Sequence, residues 1–301
     1  MRRNSSTVAD RAARAGRGPH AVRIRAALTI LALLLGVVQT KATDLKPDTV
    51  QAWDGYVQTV NLTTTARAAG TGSFLYVDES PDLVQCVRRG GVVVTNQFPR
   101  EVPHGLIHHW LGAIFIPNVT LDQVASVIAN YDHYSDYYKP FVVKSAVIER
   151  SGDEEKVNLV IVQKAFSVTA AVETDYEVRI VRLDANRIYI VNNAVRVQEI
   201  ADYGQPSEHA FPEDKRPGYV WRTVGVTRLE QRDGGVYVEM ETVALSRGIP
   251  VAFRWLIKPL TDNLPRKIML ETLEDTRAAV SGKAAPVPIY DQNIAQSRAH
   301  K

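Results

Sequence analysis

Gly105–Pro117, GLIHHWLGAIFIP, is the stretch on which the reading of this chain turns. Its density of Ile, Leu, Trp and Phe reads as a strand. Directly after it, Thr120-Leu121-Asp122-Gln123 opens a short helix. An aromatic-rich turn follows at 131–140 (YDHYSDYYKP), then six strand-like runs, and a long helical run from Ile249 closes the series. This order predicts one antiparallel sheet gripped by one C-terminal helix, an α+β container. Such an architecture suits holding something apolar more than processing something polar.

The six runs carry their own signals. Phe141 to Arg150 and Lys156 to Phe166 flank Ser151-Gly152-Asp153, a hairpin pattern. From Val172 to Leu183 the alternation is clean: Val172, Thr174, Tyr176, Val178 and Ile180 share a face opposite Glu173, Asp175, Glu177 and Arg179. Period-two alternation of this kind predicts one packed and one wet face. Asp184-Ala185-Asn186 turns into Arg187–Ile200. An irregular stretch, 201–218, then holds three prolines, two glycines and several charges. Asp233-Gly234 is a two-residue hairpin turn that pairs Arg228 with Glu239 and Glu230 with Tyr237. Those charged residues predict a solvated exterior. The opposite face sets Trp221, Thr223, Gly225, Thr227 and Leu229 against Val236, Val238, Met240, Thr242 and Ala244, an interior whose small members leave room. Beyond Gly248 the spacing of Phe253, Leu256, Leu260, Leu264, Ile268 and Leu273 is helical, with Pro250, Pro259 and Pro265 expected to kink or segment it.

Working back from Gly105, Val50, Trp53, Val57 and Val60 recur at helical spacing after Pro47, predicting a helix over 47–66. Ala69-Gly70-Thr71-Gly72 breaks it, and Phe74-Leu75-Tyr76-Val77 reads as a short strand. Ser80 and Pro81 start a second helix, which Gly90-Gly91 ends before an extended Val92–Thr95. The expected organisation is a head at 1–42, a helical appendage at 43–104, the main domain at 105–280 and a loose tail at 281–301.

Composition narrows the classes. The chain has 301 residues, 45% of them apolar, enough for a sizeable core. Its formal charge of +3 sits largely in the head, where seven arginines and only Asp10 precede Leu28. The remainder is close to neutral or slightly acidic, so nucleic acid is not an expected partner. Arg23 and Arg25 precede an apolar run, Ala26 to Val38, of signal-peptide length and short of the roughly 20 residues that span a bilayer. A cleaved signal, an uncleaved anchor and a buried helix are the readings it admits. The first two place the body outside the cytoplasm, periplasmic or membrane-anchored, with a membrane surface as a further contact. One cysteine, Cys86, allows no intramolecular disulfide and reads as a structural thiol.

The order of elements resembles the helix-grip fold of the superfamily that includes START lipid-transfer domains, birch-pollen-allergen-like proteins, polyketide cyclases and coenzyme-Q-binding proteins. The segments that carry the likeness are 108–117 (HHWLGAIFIP), 121–124 (LDQV), 131–133 (YDH) and 248–250 (GIP), within 105–280. In particular the chain resembles exported, uncharacterised bacterial members. The resemblance implies a seven-stranded antiparallel sheet wrapped on a long kinked C-terminal helix, with a cavity between them. It implies no reaction, since sites are grafted onto folds. The cavity would be lined by Thr174, Tyr176, Val178, Trp221, Thr223, Gly225, Thr227, Val238, Met240, Thr242, Ala244, Phe253 and Leu256. The small face predicts a void of about 300 Å³ or more. Tyr203, Phe211 and Tyr219, from the long connection 201–218 and its border, are expected to gate the mouth.

No sequence motif names a catalyst. There is no GxSxG, HExxH or HxH, and His108 and His109 point to opposite faces of their strand. No metal, cofactor or catalytic residue is expected. His104, His108, His109 and His133 read as hydrogen-bonded strand and loop residues. Tyr131, Tyr134, Tyr137, Tyr138 and Phe141 either rim a pocket mouth or pack a turn on the sheet edge. The leading expectation is binding or transport of a hydrophobic small molecule such as a lipid or quinone. A cyclase or dehydratase using Tyr176, Thr174, Thr223, Thr242 and Asn193 is the alternative, and an envelope interaction module with a filled cavity is the third reading.

Overall fold

Strand β2 (Gly105–Pro117) lies beside β9 (Gly235–Arg247) along its whole length, from Gly105↔Arg247 to Pro117↔Gly235. Its Trp110, Ile114 and Ile116 enter the main core, while Ala113 and Phe115 enter a second cluster on the other face. Burial on both faces explains why the run is apolar almost throughout. The computed structural model describes residues 45–165, 168–212, 218, 220–248 and 254–282, and at 97–99, 164, 165, 168 and 254–264 it describes the backbone alone. The expected signal region and most of the tail lie outside the described residues.

The other strands are β1 (Val93–Val102), β3 (Val142–Ser151), β4 (Glu154–Ala165), β5 (Val168–Arg182), β6 (Arg187–Ala201), β7 (His209–Ala210) and β8 (Arg222–Arg232). They form one antiparallel sheet in the order β1-β2-β9-β8-β6-β5-β4-β3, with β7 on the end of β6. The β8–β9 turn takes positive φ at Asp233 and Gly234, 55° and 78°, as a two-residue hairpin of twisted strands requires. Its register is the expected one, Arg228↔Glu239 and Glu230↔Tyr237.

The sheet has nine strands among the described residues, against seven expected. One addition is β7, a two-residue pairing inside the long connection. The other is β1, which belongs to the expected appendage. The boundary expected at 104 therefore falls within the β1–β2 hairpin, because β2 needs a partner on its open edge and the valines of 92–95 supply it.

The helices are α1 (Pro47–Ala68), α2 (Pro81–Arg88), α3 (Leu121–Ile128), α4 (Tyr134–Tyr137) and α5 (Arg254–Val280). Thr120 and Gln123 close the capping box of α3. Tyr76–Glu79 is a 3-10 turn, where a strand at Phe74–Val77 was expected. Phe74, Leu75 and Val77 all bury on one side against Val87, Ala113 and Phe115, and a strand would turn alternate members toward water. Helix α5 runs uninterrupted past Pro259 and Pro265. Each proline removes one backbone hydrogen bond, and packing of the second half offsets that loss. Met269 and Leu273 rest on β2 at Gly112, where a Cβ would come within 2.7 Å of both side chains.

The inner face of the sheet carries α3, the aromatic turn and the second half of α5. The outer face is divided. Over β2, β9 and β8 it is covered by α1 and residues 74–88. Over β4, β5 and β6 it meets solvent with a charged lattice, in which Asn158 Nδ2 donates to Glu173 and Asp175, and Arg196 donates to Asp175. That lattice holds Asp175 below the usual carboxylate range, the Arg196 hydrogen bond being the main cause.

Candidate functional site

Pairing across β5, β6, β8, β9 and β2 sets Val178, Asn192, Gly225, Thr242 and Trp110 in one row on the inner face. Gly225 at its centre has no side chain, so the row dips there. A half-open cavity of about 130 Å³ lies over this dip. Five expected residues line it: Tyr176, Val178, Thr223, Gly225 and Thr242. The others are Tyr131, Tyr134, Val157, Leu159 and Asn192.

The void is smaller than expected because three tyrosines reach into it. The rings of Tyr131 and Tyr134 stand 4.7 Å apart, and the Tyr134 hydroxyl donates to the carbonyl of Ile128. Tyr131 donates to Asn192 Oδ1 at 3.3 Å. Burial raises all three phenols, Tyr176 to about 12, and the hydrogen bond with Thr174 offsets part of that rise. They stay protonated through the physiological range and serve as donors, not bases.

The remaining expected residues sit elsewhere. Thr174, Thr227 and Val238 are buried and do not line the cavity. Met240 packs on the core, and Ala244 is half-buried opposite Thr223. Trp221 belongs to the outer face, packed with Trp53, Val224 and Val243. It precedes the first paired residue of β8, so the alternation of the strand does not extend to it. Phe253 and the side chain of Leu256 lie outside the described residues. Asn192, not Asn193, faces the cavity. The alternation Ile188, Ile190, Asn192 carries that signal in the sequence. Of the gate residues, Tyr203 and Phe211 do not line the cavity, and Tyr219 lies outside the described residues. The base of their connection is tied to the buried carboxylate of Glu199, which accepts from the backbone N–H of Gly218 (3.0 Å) and Val220 (3.2 Å).

The outer face of β8–β9 is not the solvated exterior expected. Arg228 is 1% exposed and Glu239 not at all. The Arg228 guanidinium lies 2.8 Å from Glu241 Oε2 and 3.3 Å from Glu239 Oε1, and donates to Thr64 Oγ1 of α1 at 2.9 Å. Glu239 also accepts from the Tyr76 backbone N–H at 2.6 Å. His109 Nε2 meets Glu241 Oε1 at 2.8 Å, and its Nδ1 meets the Tyr56 hydroxyl at 2.8 Å. Burial raises Glu239 to about 7 despite Arg228. Burial acts the same way on Glu241, but His109 and Arg228 overcome it and hold that carboxyl at about 2. The network ties α1 to the sheet through Thr64 and Tyr56.

His108 Nε2 bonds Ser246, His104 lies 3.7 Å from Asp48 and His133 lies 3.3 Å from Asp136. Among the described residues no cluster of three or more His, Cys, Asp or Glu is placed to hold a metal ion. Tyr138 bonds Thr276 of α5 at 3.0 Å and packs with Phe141, so this half of the aromatic turn is structural.

No family model matches the chain, and no curated protein matches it. Among solved structures it is similar to the STAR-related lipid transfer protein (fragment 25–204) from Xanthomonas axonopodis, at 16% identity over 62% of this chain and 98% of that one, with a TM-score of 0.42. It is similar to the Zhui aromatase/cyclase from Streptomyces sp. R1128, at 12% identity over 58% and 94%, TM-score 0.41. It is similar to human STARD10, at 10% identity over 66% and 78%, TM-score 0.39. The helix-grip architecture itself rests on the strand order and the C-terminal helix.

Proposed function

We propose that the chain binds an uncharged, largely apolar small molecule on the inner face of its sheet. The observation that carries this reading is the half-open cavity, walled by Val157, Leu159 and Val178 and dotted with neutral donors. Apolar walls with a few convergent polar groups are the usual make-up of a ligand site. Phenols kept protonated by burial, amide and hydroxyl groups can orient a ligand. They supply no base near neutral pH, which favours holding over acid–base chemistry. A volume of about 130 Å³ corresponds to about four water molecules. The cavity therefore takes one end of a ligand, while the rest lies along the open face. We further place the site outside the cytoplasm, on the strength of the basic flank and apolar run at Arg23–Val38.

Native mass spectrometry of the purified protein, with Nile red titration of the same sample, tests the binding reading. A released neutral species, or saturable Nile red binding lost in Thr223→Phe, is expected. No adduct and no saturable dye binding in a folded sample would overturn it. Fractionation tests the location: full-length protein in the cytosol would remove the export reading.

A further inference from the structure

Four glycines lie within strands β2, β8 and β9, and three have a structural explanation. A Cβ on Gly105 would press within 3.1 Å of Thr49 and Val102. A Cβ on Gly112 would strike Met269 and Leu273 at 2.7 Å, and one on Gly235 would lie 2.3 Å from the Ile116 carbonyl oxygen. Gly225 has no such reason. A Cβ there would meet nothing nearer than the Glu241 carbonyl oxygen at 3.5 Å, an ordinary contact. Its φ is not positive, and no bulge interrupts the pairing Asn192↔Gly225↔Thr242. Glycine inside a strand forfeits about 0.5–1 kcal/mol relative to alanine. With bulge, turn and packing removed, close approach of a ligand is among the common reasons for a strand glycine that remain.

The groups around the notch say what approaches. Asn192 Nδ2 lies 3.8 Å from where that Cβ would be. Because Asn192 Oδ1 accepts from Tyr131, the amide turns its N–H side to the notch. Among the described residues, Asn192 Nδ2 and the hydroxyls of Thr223 and Thr242, all from cavity-lining residues, have no hydrogen-bond partner. With Asn192 Nδ2 at the notch, the Thr223 and Thr242 hydroxyls on residues of the same lining and no charge there, these donors match a single uncharged acceptor. Resting on the binding reading above, we propose that Gly225 seats the carbonyl oxygen of a neutral ligand, with Asn192, Thr223 and Thr242 as its donors and the Tyr131–Tyr134 pair against its apolar body.

The test compares cyclohexanone with methylenecyclohexane, which has the same shape without the oxygen, by ligand-observed NMR on the full chain. The ketone should bind the wild type about tenfold more tightly, the worth of one or two neutral hydrogen bonds. Asn192→Leu should erase that advantage while both compounds still bind. Gly225→Val should block both with the circular dichroism spectrum unchanged, and Gly225→Ala serves if the valine variant does not fold. Equal binding of the two compounds to the wild type would overturn the carbonyl assignment and leave the apolar site standing. Binding unaffected by either Gly225 variant would overturn the notch, and failure of both compounds to bind would sink the cavity reading along with it.

Discussion

The two faces of the β8–β9 hairpin share one backbone and differ in everything else. The inner face sets Thr223, Gly225 and Thr242 beside a void, with Thr242 exposed. The outer face buries Arg228, Glu239 and Glu241 under α1, which reaches Arg228 through Thr64 across 164 positions of sequence. Charged residues are thus more deeply buried than the hydroxyls opposite. Side-chain polarity alone does not decide which face of a strand pair meets water. The covering element decides it, and it buries charges only where they are paired and hydrogen-bonded.

The largest effect should come from breaking the outer face. Arg228→Met leaves the buried Glu239 without its counter-ion and Glu241 with His109 alone, and should lower stability by about 3–5 kcal/mol. Chemical denaturation would measure this, and a loss no greater than that of a surface substitution would mean that α1 does not cover the face. Next is the pH response. Folding raises the Glu239 pKa from 4.5 to about 7. Its contribution is fully present below pH 4.5 and is lost as pH rises through 7. Glu241, lowered to about 2, contributes above pH 4.5 and loses that contribution as pH falls through 2. Glu239→Gln should therefore flatten the stability profile between pH 4.5 and 7 without altering its acid limb, as thermal melts across that range would show. On the inner face, Gly112→Ala presses a methyl group into Met269 and Leu273 and should cost about 1–3 kcal/mol. The smallest change is Gly225→Ala. It should be neutral or stabilising by up to about 1 kcal/mol, since the site has room for the methyl group. The opposite signs of these two glycine variants separate packed sheet from open sheet on the same face.

Much of the architecture was legible because it is written in short-range chemistry. The run 105–117 gives β2, Asp233-Gly234 fixes the β8–β9 register residue for residue, and Thr120 with Gln123 starts α3. Alternation placed Tyr176, Val178, Thr223, Gly225 and Thr242 on the face that lines the cavity. Asn192 was missed by one position, although the parity of Ile188 and Ile190 points to it. The cover of the outer face left little trace. Two of the four buried residues of α1, Thr49 and Thr64, are threonines, so its apolar stripe is faint and the partner of Arg228 is invisible locally.

By itself, then, the sequence determined the seven strands of the main domain, the β8–β9 turn and register, and which side chains share a face within a paired strand. These follow from the two-residue period of a strand and the φ demands of its turns, both properties of neighbouring residues. Only the tertiary structure decided the rest. It set which face is covered and by what, that β1 extends the sheet past the expected boundary, and that Tyr131, Tyr134 and Tyr176 reduce the cavity to about 130 Å³. Burial and volume depend on side chains brought together from distant parts of the chain, and no local pattern encodes the distance between them.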